Sequence, residues 1–115
     1  MKIVYNRLLP FGKKFAAINL CGVLFAKVPI DARILNHESI HTSQIKELVY
    51  IFFYLFYVVE WLIRFIQYGD HYKAYFNISF EREAYYNESN FSYLKKRKPY
   101  SFIKYLKRGK GESTN

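Results

Sequence analysis

The hydrophobic period of this chain changes several times along its length. Residues 15–20 and 23–28 are short runs of strand-forming residues divided by Cys21-Gly22, and a glycine in a two-residue connection supplies the positive φ of a tight turn. The pattern predicts a β-hairpin. Residues 1–14, with Pro10, Gly12 and the Lys13-Lys14 pair, read as an irregular lead-in. After Pro29 and Asp31, the residues Ile34, Leu35, His37, Ile40, His41 and Ile45 recur at helical spacing, which predicts a helix starting between Asp31 and Leu35.

Residues 48–66 are apolar except for Glu60 and Arg64, and the stretch is long enough for a membrane span. Tyr50, Tyr54 and Tyr57 each carry a hydroxyl that hydrocarbon would leave without a partner. Glu60 and Arg64 stand four apart and can pair on one helical face, a structural role. These features favour a buried or interfacial helix pair at least as much as a crossing. Tyr68-Gly69-Asp70-His71 reads as a helix stop and turn, and Asn77-Ile78-Ser79 as the cap of a helix starting near residue 80. Residues 93–110 are basic, interleaved with aromatic and aliphatic side chains and broken by Pro99. The pattern as a whole predicts an α+β, mostly helical fold: one domain over residues 1–108 and a disordered tail over 109–115.

Composition narrows the function classes. The chain has 115 residues, 51% hydrophobic and 21% aromatic, which excludes a chain disordered as a whole and leaves room for one modest core. The lone cysteine, Cys21, excludes an internal disulfide and a CxxC metal site. It suits a reducing compartment, and the N-terminus lacks the apolar run of a signal peptide, so a cytoplasmic location is expected. A net charge of +9 favours anionic partners. No RNP, zinc-finger or helix-turn-helix signature accompanies the charge, so no specific nucleic-acid partner is expected. An anionic membrane surface fits better beside the apolar stretch.

His37-Glu38-Ser39-Ile40-His41 is an HExxH motif. Residues four apart share a helical face, so the two imidazoles can grip one metal ion. Glu38 then lies where it can take a proton from water and pass it to a leaving amine. Gln44, three residues after His41, can support a ligand from behind. Catalytic zinc needs a third protein donor. Candidates are His71, which reads as a solvated loop residue, and Glu81, on the helix that starts near residue 80.

HExxH followed by an ExxA segment on a second helix, here Glu81-Arg82-Glu83-Ala84, resembles the gluzincin class of zinc metallopeptidases. The resemblance implies Zn2+ held by His37, His41 and Glu81, with Glu38 as general base and a peptide or protein as substrate. Membrane-linked gluzincins commonly read ExxAD, and this chain has Tyr85 at the Asp position. Glu83 stands as an alternative third ligand. Ala17-Ile18-Asn19-Leu20, Asn36-His37-Glu38, Gln44, Glu60-Trp61 and residues 77–85 are also similar to a family of small, uncharacterised bacterial HExxH proteins, over most of residues 15–106. By the gluzincin resemblance, residues 23–27 on the strand before the HExxH helix would offer their edge to an extended substrate. His71, Tyr72 and Tyr85 are candidate donors to the transition-state oxyanion.

A straight helix over residues 48–66 would carry the chain about 28 Å from His41 and strand Glu81 across a bilayer. Zinc and a single clean crossing therefore exclude one another, and a break near residues 57–60 is expected. The competing reading is a small membrane-associated basic adaptor with a structural or vestigial zinc site.

Overall fold

A computed structural model describes residues 2–7 and 17–107 of an α+β, mostly helical chain. The beginning of the first strand-like run, most of the lead-in and the 109–115 tail lie outside the described residues. Three strands, β1 (Lys2–Tyr5), β2 (Ala17–Leu20) and β3 (Val23–Ala26), form one sheet in the order β1-β3-β2. The hairpin of β2 and β3 forms as expected, turning on Cys21 (φ 54) and Gly22 (φ 90). Positive φ at both positions of a two-residue loop matches the right-handed twist of the strands. The lead-in is not irregular throughout. Residues 2–5 pair in parallel with β3, Ile3 opposite Leu24 and Val4 opposite Phe25, a partnership that no local turn signal announces.

Helix α1 (Ala32–Glu47) starts where the spacing placed it, with the Asp31 side chain accepting from the Ile34 N–H at 2.8 Å. The apolar stretch then departs from expectation. Helix α2 (Ile51–Tyr68) runs unbroken through residues 57–60. The reversal comes before it, at Val49 (φ 54) and Tyr50 (φ 62), two non-glycine residues in left-handed conformation. Folding back at that point lays α2 along the fold, so it reaches Glu81 from its middle without breaking. Gly69, left-handed, ends α2, and Asp70 caps α3 (His71–Phe76). His71 is thus the first residue of a helix rather than part of a loop.

Helix α4 (Ser79–Asn87) is capped from a distance. Residues 77–79 supply no side-chain cap; the Glu60 carboxylate on α2 accepts from Ser79 N–H at 2.7 Å and from Ser79 Oγ–H at 2.6 Å. Arg64 pairs with the same carboxylate at 3.2 Å and donates to the Leu106 carbonyl at 2.7 Å. The Glu60 and Arg64 pair therefore ties α2 to α4 and to the C-terminal segment. That segment holds α5 (Tyr93–Lys96) and a 3-10 helix (Ser101–Tyr105). Ile45, Phe53, Ile78, Phe80 and Phe102 make the apolar core, with Leu48, Tyr54, Tyr57 and Trp61 packed against it.

Candidate metal centre

Helix α1 turns His37 and His41 inward onto α4, and both are buried. Asn36 and Gln44 fix the α1–α4 approach. The Asn36 amide donates to the carbonyls of Asn87, Glu88 and Asn90 at the end of α4. The Gln44 amide donates to Phe80 O at 3.1 Å and to Glu83 Oε1 at 2.9 Å. Those two acceptors fix the Gln44 amide orientation, which leaves its Oε1 facing His41 Nδ1 at 2.7 Å. His41 Nδ1 must then carry the proton and donate it. His37 Nδ1 meets the Glu88 carboxylate at 2.8 Å in the same way. Both Nε2 lone pairs are thereby aimed at one point, the orientation a metal-binding imidazole requires.

Glu81 Oε1 occupies that point's third corner, 3.2 Å from His37 Nε2 and 3.1 Å from His41 Nε2. Ligands around a tetrahedral zinc stand about 3.3 Å apart, so each imidazole nitrogen lies within a few tenths of an ångström of the distance from the carboxylate oxygen that zinc would demand. The other oxygen of Glu81 accepts from Tyr57 Oη–H at 2.7 Å. Burial opposes charge on His37, but hydrogen bonds to Glu81 and Glu88 overcome it and carry its pKa up to about 10. Burial is likewise outweighed at His41, where Glu81 raises the pKa. Glu81 itself is held well below the usual carboxylate range, against its burial, by His41 and His37. The two imidazoles hold protons strongly beside an ionised Glu81, and a divalent cation competes with those protons for the same lone pairs. Two imidazole nitrogens and one carboxylate oxygen, each braced from behind, are a donor set that could hold zinc.

The ligand atoms of Glu38, His37 and His41 lie within 4.8 Å of one another, and Glu81 is near enough for its charge to raise the Glu38 pKa. Among the described residues no hydrogen-bond donor to the Glu38 side chain is recorded, and burial keeps its pKa above the usual range while His41 and His37 pull it down. It opens with His41 onto a cleft of about 410 Å³, walled by β2 and by Phe53, Tyr54, Tyr57 and Tyr75. A carboxylate so placed could exchange a proton with a molecule held in the cleft.

No protein-family model matches this chain, and comparisons with curated proteins and solved structures find no match. The likeness to gluzincins therefore rests on the residues alone.

Glu81 and Glu83, both open as third donors from the sequence, are separated by the fold. Glu83 is fully buried and spent on other partners: Tyr93 Oη–H at 2.6 Å, Arg97 and Gln44. Arg97 in turn bridges Glu83 to Glu47. His71 is exposed and borders a separate cavity with Tyr72, Trp61 and Tyr75. Tyr85 packs edge-on against His37, ring centroids 4.4 Å apart, and its Oη meets Tyr75 Oη at 2.9 Å. The carboxylate that Tyr85 cannot provide is supplied by Glu88, seven residues after Glu81 and so two turns along the same face. The expected substrate strand needs correction too. Residues 23–26 are the central strand, paired on both edges, whereas β2 lines the cleft and is an edge strand among the described residues, its Asn19 carbonyl accepting from Tyr54 Oη–H.

Sequence reasoning missed Glu88, Tyr57 and Tyr75 as members of the site. The seven-residue spacing was a usable signal for Glu88. For Tyr57 the signal was a hydroxyl in an apolar run, which had to find a partner.

Proposed function

We propose that this protein is a zinc-dependent metallohydrolase of minimal gluzincin type, acting on peptide bonds. The observation that carries the reading is the convergence of His37 Nε2, His41 Nε2 and Glu81 Oε1 beside a cleft onto which Glu38 opens. Zinc held there supplies a Lewis acid that polarises the scissile carbonyl and acidifies water. Glu38 accepts the proton of the attacking water and delivers it to the amine nitrogen as the C–N bond breaks, so it ends the cycle as it began. Gln44 and Glu88 keep the imidazoles oriented, and Tyr57 does the same for Glu81. An extended peptide would lie along β2, the edge strand that lines the cleft among the described residues.

Elemental analysis of protein purified without added metal tests the reading. The expected result is about one zinc per chain, lost in His41→Ala and Glu81→Ala and kept in Glu38→Gln, with hydrolysis of a fluorescent casein substrate abolished in all three. Absence of zinc after reconstitution would sink it. Zinc bound with equal, negligible hydrolysis in the parent and in Glu38→Gln would leave a structural clasp in place of an enzyme.

A further inference from the structure

The inner and outer sides of α2 obey opposite rules. On the inner side Phe53, Tyr57, Glu60 and Arg64 are tied to the core, to Glu81, to Ser79 and to Leu106. On the outer side every exposed position from residue 51 to 66 is apolar, including Ile51 (70% exposed), Leu55, Val59, Leu62 and Ile66 (83% exposed). A helix facing water places charge there. The apolar strip follows an 18-residue helix, about 27 Å long. It is extended at one end by Val49 and Tyr50, exposed on the left-handed turn.

A basic segment packs on α4 and is tied to the chain near both ends of α2. Tyr100 Oη–H donates to the Glu47 carbonyl just before α2, and the Leu106 carbonyl accepts from Arg64 near its end. Between these ties the 3-10 helix exposes Ile103 and, beside it, Lys104, with Lys98 and Lys107 flanking. Residues 93–107 contain no acidic side chain. An exposed apolar helical face together with a cluster of exposed lysines on a segment tied to that helix has the chemistry of an anionic bilayer interface. A second copy of the chain would bring a further net +9 against the same lysines. A crossing would pull Glu60 and Arg64, on α2, and Glu81, hydrogen-bonded to Tyr57 of α2, into hydrocarbon.

We propose that the outer face of α2 and the lysines of the 3-10 segment dock this protein on an anionic lipid surface, with α2 lying in the plane of the interface. The surface is independent of any chemistry at the metal centre.

Cosedimentation with vesicles of phosphatidylcholine, alone or mixed with phosphatidylserine, tests this. Binding is expected to the mixed vesicles at least about tenfold more tightly than to the neutral ones, and to weaken as salt is raised. Neutralising Lys98, Lys104 and Lys107 to Gln should cost about fivefold per lysine. The double variant Leu55→Glu with Leu62→Glu should lose binding while unfolding at the parent's midpoint, and His41→Ala should bind as the parent does. Equal binding to both vesicle types, or none, would overturn the proposal. So would a stable dimer in the absence of lipid that the Leu55→Glu, Leu62→Glu pair dissociates, which would assign the face to a second copy. Vesicle-bound protein that resists both high salt and alkaline carbonate would replace interfacial docking with a crossing.

Discussion

Helices α2 and α4 invert one another. Helix α4 buries Glu81, Arg82, Glu83 and Asn87, whereas α2 buries only Phe53 and Arg64 and turns most of its apolar residues outward. Burying a charge is costly unless it is paired and hydrogen-bonded, and α4 meets that condition at its two glutamates, while Arg82 is hydrogen-bonded to neutral oxygens. Glu81 is met by two imidazoles and a tyrosine, Glu83 by Arg97, Tyr93 and Gln44, and Arg82 by the Tyr105 carbonyl and Asn77. Polar residues thus dictate how α1 and α4 approach, while aromatic packing of Phe53 against Phe80 holds α2 beneath them. One helix is organised around a site, and the other offers a surface.

The sharpest way to break this contrast lies within α4, where two glutamates two positions apart should fail differently. Glu81→Gln removes a donor from a centre whose total binding free energy is on the order of 10 kcal/mol, so zinc affinity by competitive titration should fall at least about a thousandfold. Glu83→Ala should keep one zinc site and instead lose about 3 kcal/mol of stability in urea unfolding, because Arg97 is left buried with Glu47 as its only carboxylate. The opposite assignment of effects would make Glu83 the ligand.

A smaller effect is expected one layer out. Glu88→Gln keeps the bulk of the side chain but removes the charge behind His37 Nδ1, and zinc affinity should drop by about 10- to 100-fold with the stoichiometry unchanged. An affinity equal to the parent's would show that His37 is oriented by packing against Tyr85 alone.

The sequence made α1 readable because its signals are local: a helical period, the Asp31 cap and HExxH within one turn of each other. The Cys21-Gly22 turn was readable for the same reason. What escaped depends on partners far along the chain. β1 forms through a parallel pairing with β3 some twenty residues away. The turn at Val49 and Tyr50 carries neither glycine nor proline, so nothing local marked the reversal, and the distance argument about the metal was met by a helix break that the chain does not make. The missing fact was that α2 lies unbroken beneath the site, with Tyr57 touching Glu81 from its middle.

Glu60 shows how a residue on the apolar helix serves the polar one. Its carboxylate caps α4 from α2, so Glu60→Ala should cost about 1–2 kcal/mol by thermal or urea unfolding. Ser79→Ala, which removes one of the two hydrogen bonds, should cost less.

The smallest expected effect is the most informative about α2. Val59→Thr or Leu55→Ser on its outer face should change stability by no more than about 0.5 kcal/mol, since those side chains are already half exposed and their truncation opens no cavity. Phe53→Ala, on the inner face of the same helix, should cost about 3–5 kcal/mol. The two faces are then distinguished by urea midpoints alone, in the absence of lipid and metal. If Leu55→Ser were to cost as much as Phe53→Ala, the outer face would be buried in solution against another chain, and the contrast between the two helices would be one of partners rather than of solvents.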